Sequence, residues 1–129
     1  MRPKRGKFPS ISEQMKAWSA AIGAELATWP ECRSRVFFGF TAFYHGEDIF
    51  ALLPRSRALD PAHAIAFKLE SARPHLVNRA KRDPRMSFTE MQKKRWFTFA
   101  VASDTDLRDA LLWLGRAYEV AGSGHHTPL

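Results

Sequence analysis

Residues 35–53 read RVFFGFTAFYHGEDIFALL, and this stretch decides how the chain folds. Two runs rich in aromatic, aliphatic and β-branched residues flank the polar segment His45-Gly46-Glu47-Asp48, which is the pattern of a β-hairpin. Gly46 accepts a positive φ without steric penalty, because it has no Cβ. The window holds five Phe and one Tyr. We therefore predict that the hydrophobic core condenses around this hairpin.

Gly39 interrupts the first apolar run. Both alternate sets of side chains around it are apolar, so a single strand over 35–44 would be buried on both faces. A glycine inside such a run marks a bulge or a tight connection. We predict separate strands at 34–38 and 41–45, with a third at 48–53.

The segment before the hairpin predicts an amphipathic helix. Ser10-Ile11-Ser12-Glu13 has the S-x-x-E form of a capping box. Apolar residues then recur at steps of three and four, at Ile11, Met15, Trp18, Ile22, Leu26 and Trp29. This spacing predicts a helix over 11–29 that ends before Pro30, with a connector over 31–34.

The second half of the chain alternates between helical and strand patterns. It predicts a loop at 54–61, a strand at 64–69, a basic helix at 71–83, a loop or single turn at 85–94, a strand at 95–101 and a last helix. Ser103 or Asp104 caps that helix, its apolar stripe is Leu107, Leu111, Leu114 and Tyr118, and Gly122 is its C′ stop.

These elements predict an α+β fold with a mainly antiparallel sheet and helices on one face. The connections among the first three strands are too short for parallel crossovers. A chain of 129 residues fits one domain, which we place at 10–122. Residues 1–9 read as a flexible basic arm and residues 123–129 as a disordered tail.

The composition is that of a soluble globular protein, with 45% hydrophobic and 26% charged residues. No run reaches the roughly 20 apolar residues that a membrane span needs. The basic N-terminus lacks the apolar segment of a secretory signal. A single cysteine, Cys32, excludes an intramolecular disulfide and a cysteine-based zinc site. We expect a cytoplasmic protein with no membrane association.

The net charge of +7 is concentrated in two segments. Residues 1–9 carry four cations and no acid, and residues 73–95 carry eight cations and two acids. Such clustering is what an anionic partner selects, although a merely solubilising surface explains it equally well. The candidate anion-binding residues are Arg79, Lys81, Arg82, Arg85, Lys93, Lys94 and Arg95. Trp96 follows these residues in the sequence, and its ring could stack on bases at a basic surface. We favour a core position for Trp96 instead, as we do for Trp18 and Trp29.

The hairpin also carries a family resemblance. Residues 38–51, FGFTAFYHGEDIFA, resemble the FG-x-PAF-x-x-GGK-x-FA stretch of MmcQ/YjbR-like proteins and the corresponding hairpin of TfoX N-terminal domains. Arg95-Trp96-Phe97 and the segment 111–118 are similar to the late strand and closing helix of these proteins. The resemblance covers most of residues 11–121 and implies an α-β(3)-α-β(2)-α-like fold. It implies no catalytic residues, since none are established for these families.

This chain departs from the family pattern at two places. Thr41 stands where proline is common, and Glu47-Asp48 replaces the usual basic residue after the turn glycine. If that turn contacts a polyanion in the family, this chain would repel it there. YjbR-like proteins have been likened to DNA-binding double-wing folds, and the TfoX group is tied to competence regulation.

No pattern indicates catalysis, a metal or a cofactor. The five histidines lack metal-ligand spacing, and we interpret them as exposed or locally bonded. Arg33 and Arg35 would lower the pKa of Cys32 and activate its thiol, but no base or oxyanion site accompanies it. We interpret the thiol as structural or incidental. Phosphate-loop, dinucleotide and nucleophile-elbow motifs are absent from the sequence.

The leading hypothesis is a non-catalytic binding module whose basic face contacts nucleic acid or another polyanion. The alternative is a protein–protein adaptor or a homodimer that uses an aromatic sheet face, as fold relatives among secretion chaperones do by resemblance. An enzyme has the least support, because no constellation of residues specifies a reaction.

Overall fold

A computed structural model of the chain describes residues 11–59, 63–69, 74–87 and 96–125. The predicted basic arm and the last four residues of the predicted tail lie outside these ranges. The described residues form three helices and six strands, in the order α1 (Glu13–Leu26), β1 (Cys32–Phe37), β2 (Phe40–His45), β3 (Asp48–Pro54), β4 (Ala64–Lys68), α2 (Pro74–Arg82), β5 (Met86–Ser87), β6 (Trp96–Ala100) and α3 (Asp104–His125). The predicted α+β class is confirmed.

Helix α1 starts at a different cap from the one predicted. The backbone N–H of Met15 donates to Ser12 Oγ at 3.1 Å, so Ser12 is the N-cap and the S-x-x-E box from Ser10 is not what starts the helix. The helix ends at Leu26, three residues before Trp29, in a turn that leads directly into β1 at Cys32. The apolar stripe is nevertheless the inward face, because Met15, Ile22 and Leu26 are fully buried.

Strands β1, β2 and β3 form an antiparallel meander with two short turns, as the sequence predicts. Phe37 pairs with Phe40 across Phe38 and Gly39, whose φ angles are 48° and 87°. Positive φ at both central residues is the signature of a type I′ turn. At the second turn His45 pairs with Asp48, and Gly46 has φ 65°. Gly39 is therefore the tight connection that separates two strands.

A bulge interrupts the pairing of β2 with β3. Phe43 pairs with Ala51 and Tyr44 pairs with Ile49, which leaves Phe50 as the extra residue of β3. The Phe50 ring is fully buried and stacks on Trp29 at a centroid distance of 6.4 Å. The bulge thus turns this side chain into the core.

The sheet has the order β1-β2-β3-β4-β6-β5, and every neighbouring pair is antiparallel. Beyond the meander, β4 pairs with β3 on one side and with β6 on the other. The β4–β6 pairing runs from Ala64 opposite Ala100 to Lys68 opposite Trp96. The predicted loop or single turn after Pro84 is wrong at its start, because Met86 and Ser87 pair with Phe99 and Thr98. Helix α2 follows the fourth strand, whereas the family resemblance implies a helix after the third.

A row of mostly aromatic side chains crosses one face of the sheet. Phe43, Ala51, Phe67 and Phe97 form a row across four neighbouring strands. Helix α3 packs on this row through Trp113, whose ring stacks on Phe67 at 5.9 Å. The adjacent row contains Ala42, Leu52, Ala66 and Thr98; Leu52 is half-buried and the other three are buried. The aromatic face of the sheet is therefore core, and the adaptor hypothesis that uses this face as a docking surface is not supported there.

Helix α3 extends beyond its predicted end. Gly122 lies inside the helix, which continues to His125, so it is not the C′ stop and residues 123–125 are not a tail. A Cβ at Gly122 would overlap the imidazole ring of His45. The glycine is required by this close approach of the helix to the sheet, and not by a cap. The buried positions are Ala110, Trp113, Leu114 and Ala117, with the predicted Leu107, Leu111 and Tyr118 half-buried beside them.

Candidate anion-binding cleft

Helix α2 presents its cations away from the core. Its buried residues are Leu76, Val77 and Ala80, as the sequence predicts. Arg79 and Arg82 are both exposed and are three positions apart, so they are neighbours on the helix surface. They also lie in the last turn, where positive charge interacts favourably with the helix dipole. This electrostatic role alone does not require a ligand.

A cleft of about 640 Å³ lies between α2 and α3. We call it the arginine cleft. Its lining comprises Arg79, Arg82, Asp83, Pro84, Arg85, Asp109, Leu112, Trp113 and Arg116. Leu112 is 62% exposed at its rim, although it is a large apolar side chain on a helix. The cleft therefore combines several guanidinium groups with an apolar rim.

The Arg79 guanidinium is positioned by an aromatic ring. Its Cζ lies 6.0 Å from the centroid of Trp113, within the range of a cation–π interaction. Phe67 stacks on the same Trp113 ring at 5.9 Å with an interplanar angle of 10°. Because these contacts engage the Trp113 ring and the residue is buried, it orients Arg79 and is not a free platform for base stacking.

Arg85 is held by carboxylates rather than being free for a ligand. Its guanidinium donates to Asp83, to Asp106 at 2.7 Å and to Asp109 at 3.0 Å, while its Cζ lies 4.6 Å from the Phe99 centroid. These hydrogen bonds, above all the one with Asp83, raise the pKa of Arg85 above its usual range. The hydrogen bonds from Arg85 also hold the pKa values of Asp83 and Asp106 below their usual range.

This network joins α2, β5 and α3, so Arg85 is a structural cation. Four arginines line the arginine cleft, and the three carboxylates around Arg85 neutralise that residue. Within the described ranges, no carboxylate forms an ion pair with Arg79, Arg82 or Arg116. These three guanidinium groups are the ones that remain to bind an anion.

The structure brings together only part of the predicted anion-binding set. Arg79, Arg82 and Arg85 share the cleft, whereas Lys81 is exposed on α2 without lining it. The predicted Lys93, Lys94 and Arg95 lie outside the described residues. Trp96, proposed as core, is buried in β6, while Trp18 and Trp29 are half-buried.

Arg116 was missed by the sequence argument. It stands three positions after Trp113 and four after Leu112, and this spacing places the three residues on one side of α3. This spacing is visible in the sequence, but only the packing of α2 against α3 makes that side of the helix the wall of a cleft.

Chemically, three guanidinium groups can make bidentate hydrogen bonds to phosphate or carboxylate oxygens. The cleft offers positive charge and hydrogen-bond donors. The two acidic residues that line it, Asp83 and Asp109, form ion pairs with Arg85. We find no nucleophile paired with a base among the residues that line it. The arrangement is suited to binding an anion.

The other candidate groups have structural partners. The His45 ring stacks on Tyr118 at 3.9 Å, and its Nδ1 donates to the Tyr118 carbonyl oxygen at 2.6 Å, so the interpretation of His45 as exposed or locally bonded is wrong. His63 Nε2 lies 3.1 Å from the capping Ser12 Oγ. Burial raises the pKa of the Cys32 thiol, which is opposite to the lowering expected from its neighbouring arginines. No group of three metal-binding side chains occurs among the described residues.

Comparison of the chain with protein-family models, curated proteins and solved structures gives no match. The resemblance to MmcQ/YjbR-like and TfoX N-terminal proteins therefore stays an expectation from the hairpin motif. In the part of the chain that the structure describes, no helix is both long and apolar enough to span a bilayer.

Proposed function

We propose that this chain is a cytoplasmic, non-catalytic binding module whose arginine cleft binds phosphate groups of nucleic acid or of another polyanion. The observation that carries the proposal is the convergence of Arg79, Arg82 and Arg116 on one cleft, where the described carboxylates are all committed to Arg85. Guanidinium groups bind phosphate with two parallel hydrogen bonds, which makes arginine the preferred residue for this contact.

Binding of this kind is independent of base sequence. Phosphate contacts position a nucleic acid but carry no sequence information. The one tryptophan of the cleft is buried and in contact with Phe67 and Arg79, so it offers no free surface for base stacking. Lys81 and the predicted Lys93, Lys94 and Arg95 add positive charge from sequence positions close to the cleft residues.

Fluorescence anisotropy with a labelled single-stranded oligonucleotide, and with heparin as competitor, tests the proposal. If three arginines meet phosphates, the logarithm of the binding constant falls with the logarithm of salt concentration at a slope of about −2 to −3, through counterion release. Replacing Arg79, Arg82 and Arg116 with Glu should abolish binding. The melting temperature should change little, since exposed charges contribute little to stability.

The matched control reverses three exposed arginines elsewhere, Arg33, Arg35 and Arg108. Both triple variants have the same net charge. Equal loss of binding in the two variants would assign the effect to overall charge and not to the cleft. Undetectable affinity for the wild-type protein at low salt would remove the polyanion function altogether.

A second candidate function, a protein–protein adaptor or homodimer, is favoured by the edge strand β1. Val36, Phe37 and Phe38 are 61%, 50% and 83% exposed, and among the described strands β1 pairs with β2 alone. Phe38 adopts φ 48°, a strained conformation for a bulky residue, and strain of this kind is concentrated at functional sites. The exposed aromatic surface is therefore at this turn and not on the sheet face.

Light scattering over a range of protein concentrations tests the adaptor. A mass that rises with concentration in the wild type, but not in Phe37→Ser/Phe38→Asn, would support self-association through β1. A constant monomer mass would rule out self-association through β1. If the double variant also retained oligonucleotide binding, polyanion binding would be the remaining function.

A further inference from the structure

A second cleft, of about 330 Å³, lies between α1 and the strands β1, β2 and β3. We call it the α1 cleft. Its walls are mainly apolar, with Phe43, Leu53 and Pro54 on the sheet side. A volume of this size is at the lower end of the roughly 300–1,000 Å³ found for small-molecule sites. It is formed by different elements from those of the arginine cleft.

The cleft exists because α1 presents small side chains here. Ala20, Gly23 and Ala27 are spaced by three and four residues and so share one side of the helix. A Cβ at Gly23 would lie 3.5 Å from the Phe43 ring, so the helix already contacts the sheet at that point. Larger residues at Ala20 or Ala27 would occupy the space that the small side chains leave open.

Ser19 is an unpaired polar group in this wall. It is only 8% exposed, and its hydroxyl has no hydrogen-bond partner among the described residues. A buried hydroxyl without a partner destabilises the folded protein, and replacement by alanine would remove that penalty. A ligand that accepts a hydrogen bond from the Ser19 hydroxyl would remove this penalty, which would account for a serine at this position.

Two cations stand at the rim. Lys16 precedes Ser19 by three residues on the same side of α1, and Arg55 follows the buried Pro54 at the end of β3. The Lys16 ammonium lies 3.4 Å from Glu13, but both side chains are exposed and such a pair is weak. The Arg55 backbone is fixed, because its N–H donates to the Gly39 carbonyl oxygen at 3.0 Å.

We propose that the α1 cleft binds a small amphipathic carboxylate, with an apolar body against Phe43 and Leu53 and the carboxylate between Ser19, Lys16 and Arg55. The apolar walls disfavour a fully polar anion, whereas the two rim cations attract an anionic group, repel a cationic ligand and give a neutral one no such attraction. The basic N-terminal segment of the chain itself is disfavoured as occupant by the same charges. This site is independent of polyanion binding.

The experiment is a titration of the ¹⁵N-labelled full chain with sodium octanoate, followed by amide chemical shifts. Two ligands with the same apolar chain serve as controls, 1-octanol without charge and octylamine with positive charge. Octanoate should shift the amides of Ala20, Gly23, Thr41 and Leu53. Octanol should bind several-fold more weakly, and octylamine should cause no saturable shifts at these positions.

Substitutions separate ligand contacts from structural effects. Ser19→Ala should weaken octanoate binding about two- to tenfold while raising the melting temperature of the free protein, because it removes an unpaired hydroxyl. Arg55→Gln should weaken it about three- to tenfold through loss of a charged hydrogen bond. Ala20→Leu should fill the cleft and block binding, whereas Ala24→Leu, at another exposed position of α1 that does not line the cleft, should leave it unchanged.

Several results would overturn the proposal. They are an absence of saturable shifts with octanoate, equal affinity for octanol, or equal binding by the Ala20→Leu and Ala24→Leu variants. A cleft whose amides shift on raising the protein concentration alone would be an interface between copies of the chain, which also overturns it. The oligonucleotide affinity of Ser19→Ala should match wild type, so failure here leaves the polyanion proposal untouched.

Discussion

The imidazole of His45 lies against Gly122 so closely that a methyl group on the glycine would overlap the ring. The ring is held there by its hydrogen bond to the Tyr118 carbonyl oxygen and by stacking on the Tyr118 side chain. The Tyr118 hydroxyl in turn donates to the Pro30 carbonyl oxygen. One histidine thus fixes the end of β2 to the C-terminal helix.

We expect Gly122→Ala to destabilise the protein by about 1–3 kcal/mol, because the added methyl group forces the helix and the ring apart. Gly115 is the matched control in the same helix. A Cβ there would be 3.9 Å from Trp29, an ordinary contact, so Gly115→Ala should stabilise by up to about 1 kcal/mol through helix propensity. Urea denaturation of the two variants decides the matter, and stabilisation by both would contradict the described contact.

We expect Gly39→Val to destabilise by several kcal/mol. The residue has φ 87°, and its Cβ would overlap the side chain of Arg57. Its carbonyl oxygen also accepts hydrogen bonds from the N–H groups of residues 55, 56 and 57. Gly46→Ala is the control for conformation alone, since φ is 65° but the space around it is open, and should cost about 1 kcal/mol. A urea midpoint for Gly39→Val near that of wild type would refute the role of the turn.

The Arg85 network should make stability depend on acid pH. The pKa values of Asp83 and Asp106 are lowered in the folded state, so their contribution is complete above their unfolded pKa values near 4 and is lost as pH falls through the folded ones. Arg85→Met should destabilise by about 2 kcal/mol at pH 7 and reduce the loss of stability below pH 4. Thermal melts from pH 7 to pH 2 test this, and parallel pH profiles for the two proteins would argue against it.

Cys32 should react slowly and have no functional role. Because burial raises the pKa of its thiol, alkylation by iodoacetamide should begin at a higher pH in the folded protein than in the urea-unfolded chain. Cys32→Ser should leave folding and oligonucleotide binding essentially unchanged. A well-folded variant that had lost binding would show that the thiol contributes to the site.

Features that depend on residues close together in the sequence were predictable. The meander followed from Gly39 and Gly46, and the inward faces of α1 and α2 followed from helical spacing. Errors came where a distant contact decides the outcome. By local rules Gly122 is typical of a helix stop. In the structure it contacts His45, which lies in β2, 77 positions earlier in the chain.

The candidate site shows the same limit. Charge density along the sequence points to α2, but only the packing of α2 against α3 distinguishes the unpaired Arg79 and Arg82 from Arg85, which three carboxylates neutralise. Arg116 belongs to the cleft for the same reason. Neither the α1 cleft nor the unpaired hydroxyl of Ser19 has a signal in the sequence, because both depend on what the neighbouring strands leave uncovered.

The strand order has a consequence for the course of folding. Strands β1, β2 and β3 are joined by two-residue turns, so their pairing closes only short loops and carries a small entropic cost. The pairing of Ala64 with Ala100 instead joins residues 36 positions apart, and among the described strands β5 pairs with β6 alone. We expect the meander to form early and the β4–β6 closure to limit the folding rate, since long-range pairing is slow. Amides of β2 and β3 should then be the first to gain protection from hydrogen exchange during refolding.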